Sequence, residues 1–86
     1  MAAIPVLTRT HVEAALARID REGVPPKRDS TRYQLVVGAK RYPPKYVVSL
    51  AAEDATGQEL APQEFSGGDE TNSILGALGF TIEDAT

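Results

Sequence analysis

The placement of glycine and proline constrains this chain more than any other feature. Gly23-Val24-Pro25-Pro26, Gly38-Ala39, Pro43-Pro44, Gly57, Gly67-Gly68 and Gly79 cut 86 residues into short segments. Proline cannot continue a helix and has no N–H for a strand ladder. Glycine takes up the left-handed turn that ends a helix. No segment between these breaks offers the ~20 apolar residues of a membrane span. The elements are therefore short and must share one core. A chain of this length buries only about 60–65% of its unfolded surface. It has no room for a second core or an internal catalytic chamber, so residues 1–86 read as one domain. Cysteine is absent, which removes disulfides and thiolate metal sites and suits a reducing, cytoplasmic setting. Met1–Pro5 has no basic region and no long apolar stretch, so it is not a secretory signal.

Between the breaks, the apolar pattern assigns the elements. Thr10-His11-Val12-Glu13 reads as a capping box. Val12, Ala15, Leu16 and Ile19 then recur at helical spacing, predicting a helix over about 10–22, with Gly23 as a left-handed cap. Tyr33–Val37 is β-branched and aromatic and reads as a strand. Gly38-Ala39 is the turn, and Lys40–Tyr42 pairs back as a second strand. Pro43-Pro44 pre-sets the start of a helix over about 44–55. Asp69 is placed to cap a helix over about 70–78. Gly79 follows as its left-handed residue, and Phe80 folds back. Phe80-Thr81-Ile82 alternates and fits an edge strand. The expected fold class is α+β: a small single domain of three helices packed on a short antiparallel β-hairpin or sheet.

The formal net charge is −3, which read as one number points away from nucleic acid. Its distribution says otherwise. All nine lysines and arginines lie in residues 1–46 with four acids, giving +5. Residues 47–86 hold the other eight acids and no base, giving −8. Such polarity predicts one positive face. The richest segment is 27–46, where Lys27, Arg28, Arg32, Lys40, Arg41 and Lys45 stand against Asp29 alone, with Tyr33, Tyr42 and Tyr46 interleaved. Cations supply the phosphate term of binding. Tyrosines can stack on bases or bond phosphates, although in a small domain they serve equally as core. In the strands, Lys40 and Tyr42 share a face, with Arg41 opposite.

Catalysis has little support. His11 is the single histidine and reads as a surface or cap residue. The acid pairs Glu53-Asp54, Asp69-Glu70 and Glu83-Asp84 splay apart rather than converge. No metal-ligand or two-carboxylate spacing appears. Gly67-Gly68 lacks the lysine and spacing of a phosphate-binding P-loop. No catalytic residue, metal or cofactor is expected.

One stretch adds a family likeness. Arg41-Tyr42-Pro43-Pro44-Lys45-Tyr46-Val47-Val48-Ser49-Leu50-Ala51 leads to Thr56-Gly57, Leu60, Phe65-Ser66-Gly67-Gly68, Thr71-Asn72, Leu75 and Leu78-Gly79-Phe80. In this order the motifs resemble the N-terminal head domain of McrA-like, HNH-type modification-dependent (type IV) restriction endonucleases. The likeness covers about residues 8–82. It implies the N-terminal piece of a longer nuclease and an accessory role in DNA binding, with 5-methylcytosine or 5-hydroxymethylcytosine as the candidate signal. The chain has no HNH motif, so nuclease activity does not carry over. The matching positions include Tyr42, Lys45, Ser66, Gly67, Gly68 and Asn72. Lys45 suits a phosphate contact, the small Ser66–Gly68 run suits close backbone approach, and Asn72 suits a base edge, a phosphate or a helix cap.

Two readings follow. In the first the chain is a double-stranded DNA-binding module whose contacts are Arg28, Arg32, Tyr33, Lys40, Arg41, Tyr42, Lys45, Ser66, Gly67, Gly68 and Asn72. In the second it is a protein-interaction module that docks other domains of the same nuclease, or a second copy, through its opposite charges. Neither involves a membrane.

Overall fold

The computed structural model describes residues 6–26, 33–60 and 69–84. Their order is α1 (Arg9–Glu22), β1 (Tyr33–Val37), β2 (Lys40–Tyr42), α2 (Pro44–Thr56), α3 (Asp69–Ala77) and β3 (Thr81–Asp84). This is the expected α+β class, with three helices and a three-stranded antiparallel sheet in the order β2-β1-β3.

Helix α1 starts one residue before the expected position, and its cap is different. Thr8, not Thr10, is the N-cap, and the box closes with His11 rather than Glu13. The Thr8 N–H donates to His11 Nδ1 at 3.1 Å, and the His11 N–H donates to Thr8 Oγ1 at 3.4 Å. The earlier start places Leu7 just outside the cap and Val12 four residues inside it. Both are buried, as in a hydrophobic staple. A start at Thr10 would give up that apolar contact. At the other end Gly23 has φ 81° and ψ −177°, outside the left-handed helical basin, yet its amide still closes onto the Ile19 carbonyl.

Helix α2 begins on Pro44 and ends at Gly57, whose amide bonds the Glu53 carbonyl at 2.7 Å. Eight of its residues, Pro44 and Tyr46–Ala52, are buried. Such a helix is apolar nearly all round because it is enclosed: α1, α3 and β1 pack on it. Asp69 is the first residue of α3 rather than the residue before it.

The end of α3 follows the expected form. The Phe80 amide bonds the Leu75 carbonyl and the Gly79 amide bonds the Gly76 carbonyl, both at 3.0 Å. This is the Schellman pattern, which needs positive φ at the residue held by Gly79, and φ there is 91°.

The hairpin forms in the register Leu35↔Tyr42, Val36↔Arg41, Val37↔Lys40. Gly38, with φ 60°, occupies the first position of the two-residue connection, where hairpin turns require positive φ. Strand β3 starts one residue later than the expected Phe80-Thr81-Ile82 and runs on to Asp84, pairing Tyr33↔Asp84, Leu35↔Ile82 and Val36↔Thr81. Leu35 is fully buried, and Ile82 packs against the core from one side. The core joins Leu7, Val12, Leu16, Ile19, Leu35, Tyr42, Tyr46, Val47, Val48, Leu50, Leu60 and Leu75.

Candidate nucleic-acid interface

Alternation along β2 decides where its cations point. Tyr42 faces inward beside Leu35, so Lys40 shares that side and Arg41 takes the other. Asp20, near the end of α1, receives both inward groups. The Tyr42 hydroxyl donates to Asp20 Oδ1 at 2.8 Å, and Lys40 Nζ lies 3.2 Å from Oδ2. The hydrogen bond from Tyr42, helped by Lys40, holds the Asp20 carboxyl below the usual carboxylate range. Burial, together with the adjacent carboxylate, pushes the Tyr42 hydroxyl up to about 12.

On the outer side Arg41 reaches across the sheet. Its guanidinium donates to Glu83 Oε1 at 2.6 Å, although β1 separates their strands. Both ion pairs are exposed: the Lys40 and Arg41 side chains are 63% and 53% accessible. Pairs this open contribute about 0–1 kcal/mol.

The other expected contacts fall in several places. Tyr42 is only 4% exposed, so the expectation that its ring lies near bases is corrected: the ring is a core group and its hydroxyl is held by Asp20. Tyr33 is half-buried at the start of β1, and Lys45 is half-buried in the first turn of α2. Asn72 lies within α3 rather than at its cap, and its Oδ1 is buried without a hydrogen-bond partner among the described residues. Arg28, Arg32, Ser66, Gly67 and Gly68 lie outside the described residues.

The single positive face expected from the charge split does not form among the described cations. Arg9 meets Glu13 at 3.8 Å, Arg18 meets Glu22 at 3.5 Å and Arg21 meets Glu22 at 3.3 Å. Folding then lays acids of the second half on bases of the first. Arg18 bonds Glu53 at 3.0 Å, joining α1 to α2, and Arg41 bonds Glu83. The hydrogen bond to Glu53 raises Arg18 further above its ordinary value.

Sequence reasoning missed Asp20 as the group that organises β2. It also missed Arg9, which donates to the Leu78 carbonyl at 2.9 Å and lies 4.5 Å from the Phe80 ring centroid. Neither carries a local signal, because each partner is more than 19 residues away in the chain.

Among the described residues there is no group of three or more histidines, cysteines or acids that could hold a metal ion. None of the described helices is long and apolar enough to cross a membrane.

No curated protein and no solved structure matches the chain. One family model does, over residues 6–84, and its description is "ScoMcrA-like, N-terminal head domain". That match is to a head domain and not to a nuclease domain, and it carries a restriction-system role with it. It spans both the paired cations of β2 and the α2 and α3 motifs, and the chain belongs to the ScoMcrA-like N-terminal head domain family.

Proposed function

We propose that this chain is a double-stranded DNA-binding module within a modification-dependent restriction endonuclease. Modified cytosine is the candidate signal. The observation that carries the reading is the pair of successive exposed cations on β2, each held by a weak, solvent-accessible carboxylate contact. A phosphate competes well for such groups. Charge-assisted bonds from arginine to phosphate are often bidentate, whereas an exposed carboxylate pair is screened and weak. Lys45 and the cations Lys27, Arg28 and Arg32 of the preceding segment extend the same basic stretch. The reading assigns no catalytic step to the module. Cleavage belongs to a nuclease domain elsewhere in the full-length protein.

The test is titration of the 86-residue chain against duplexes carrying cytosine, 5-methylcytosine and 5-hydroxymethylcytosine across a salt series. Four phosphate contacts give a log K against log salt slope near −3.6, at about −0.9 per contact. Undetectable binding to every duplex at low salt would sink the reading.

One observation favours a second reading, that the module docks another domain or a second copy. The described cations outside α2 are matched by acids, so the surface is mixed in charge rather than basic. Sedimentation at low and high salt, with and without DNA, separates the two. Self-association that DNA does not compete away supports docking.

A further inference from the structure

We infer that the β1–β2 hairpin enters the major groove of duplex DNA tip first, with Val37 against the base edges and Lys40 and Arg41 on the phosphates of opposite strands. This deepens the DNA-binding reading and rests on it.

Three observations converge on the hairpin tip. Strand β3 pairs with β1 only as far as Val36. Among the described residues, Val37 to Lys40 therefore forms a two-stranded end with no third strand beside it. Next, the two cations at this end face opposite ways. Lys40 turns to Asp20 on the α1 side, and Arg41 turns to Glu83 on the outer side. A groove is bounded by phosphates on both sides, and a hairpin entering it tip first presents one cation to each. The major groove, about 12 Å wide, admits a two-stranded ribbon. Asp20 and Glu83 mark where an anion already sits on each flank.

The third observation is the tip itself. Val37 is 36% exposed, one of two large apolar side chains exposed among the described residues. The other, Val6, lies before α1. Val37 is followed by Gly38, which has no side chain, and Ala39, which has only a methyl group, so the backbone can come close. An apolar side chain at the floor of the major groove meets the C5-methyl group of thymine, the apolar feature that base edges present there.

The test is binding of the 86-residue chain, by fluorescence anisotropy, to one duplex and to its copy with every thymine replaced by uracil. Uracil removes the methyl and leaves the pairing intact. The wild-type chain is expected to prefer the thymine duplex by about four-fold, the worth of one buried carbon group. Val37→Ser abolishes that preference and leaves the salt slope unchanged. Lys40→Ala and Arg41→Ala weaken binding to both duplexes and each reduce the slope by about 0.9. Glu83→Gln strengthens binding by up to about five-fold, the most an exposed pair contributes. That gain disappears in the Arg41→Ala background if Glu83 acts through Arg41. Circular dichroism checks that each variant is folded, as expected for changes at exposed sites.

Equal affinity of the wild type for the two duplexes overturns the placement of Val37. Unchanged slopes in the lysine and arginine variants overturn the straddling hairpin while DNA binding itself stands. Absence of wild-type binding to either duplex overturns the DNA-binding reading, and the inference with it.

Discussion

Tyr42 shows how one residue carries two assignments that sequence alone leaves open. Its position in a basic, tyrosine-containing stretch fits a base contact, and its position opposite Leu35 fits a core. The structure puts the ring in the core and the hydroxyl on Asp20. The raised hydroxyl fixes the sign of a pH effect. A folded-state value of about 12 against an ordinary 10 means that the contribution is whole below pH 10. It is lost as pH rises from about 10 to 12. We expect urea unfolding to show stability falling by about 2 kcal/mol across that window. Tyr42→Phe should remove this step and lower stability at pH 7 by about 1 kcal/mol, the worth of one hydrogen bond. Asp20 has the opposite sign. Its depressed carboxyl stabilises the fold above the usual carboxylate range and is lost only in stronger acid. Gly79 makes a second residue-level case. A Cβ there would lie 3.0 Å from an Arg9 guanidinium nitrogen while φ is 91°. Gly79→Ala is expected to lower the melting temperature by several degrees, through backbone strain of about 1 kcal/mol and displacement of the Arg9 contact.

At the scale of elements, most of the fold was legible, because glycine, proline and apolar spacing act locally. The hairpin Tyr33–Val37 and Lys40–Tyr42 formed around Gly38-Ala39 as its residues dictate, and the Gly79-Phe80 ending of α3 followed from its sequence. The start of α1 did not, because two threonines compete for the cap. Thr10 with Glu13 makes the better local signature, but Thr8 with His11 also buries Leu7 against the core. Tertiary packing outweighed the local preference. Thermal or urea unfolding distinguishes the two caps: Thr8→Ala is expected to destabilise by about 1 kcal/mol, whereas Thr10→Ala, exposed in the first turn, should change stability by no more than about 0.5 kcal/mol.

At the scale of the whole molecule, core burial and surface charge contribute very unequally. Leu35 is fully buried where the sheet meets α2. Leu35→Ala is expected to cost about 2–5 kcal/mol in urea unfolding, a large part of the stability of a domain this small. Arg18→Ala removes the bridge between α1 and α2, but both side chains are over a third accessible, so a loss below about 1 kcal/mol is expected. The surface charges matter instead for what the molecule meets. Linear charge counting gave +5 and −8 halves, and the fold then set Glu53 on Arg18 and Glu83 on Arg41. The candidate site was legible as a set of cations and not as a geometry. Residue type named Lys40 and Arg41, and strand alternation put them on opposite sides, since both properties are local. Which carboxylate meets each cation depends on contacts more than 19 residues apart in the chain, and no local rule encodes those. The sequence by itself determined the α+β class, the hairpin, the order of elements and the family likeness, because turn chemistry and apolar period are short-range. Only the tertiary structure decided that Tyr42 is core, that Asp20 organises β2 and that the charge halves interleave, because these depend on which distant surfaces the shared core brings together.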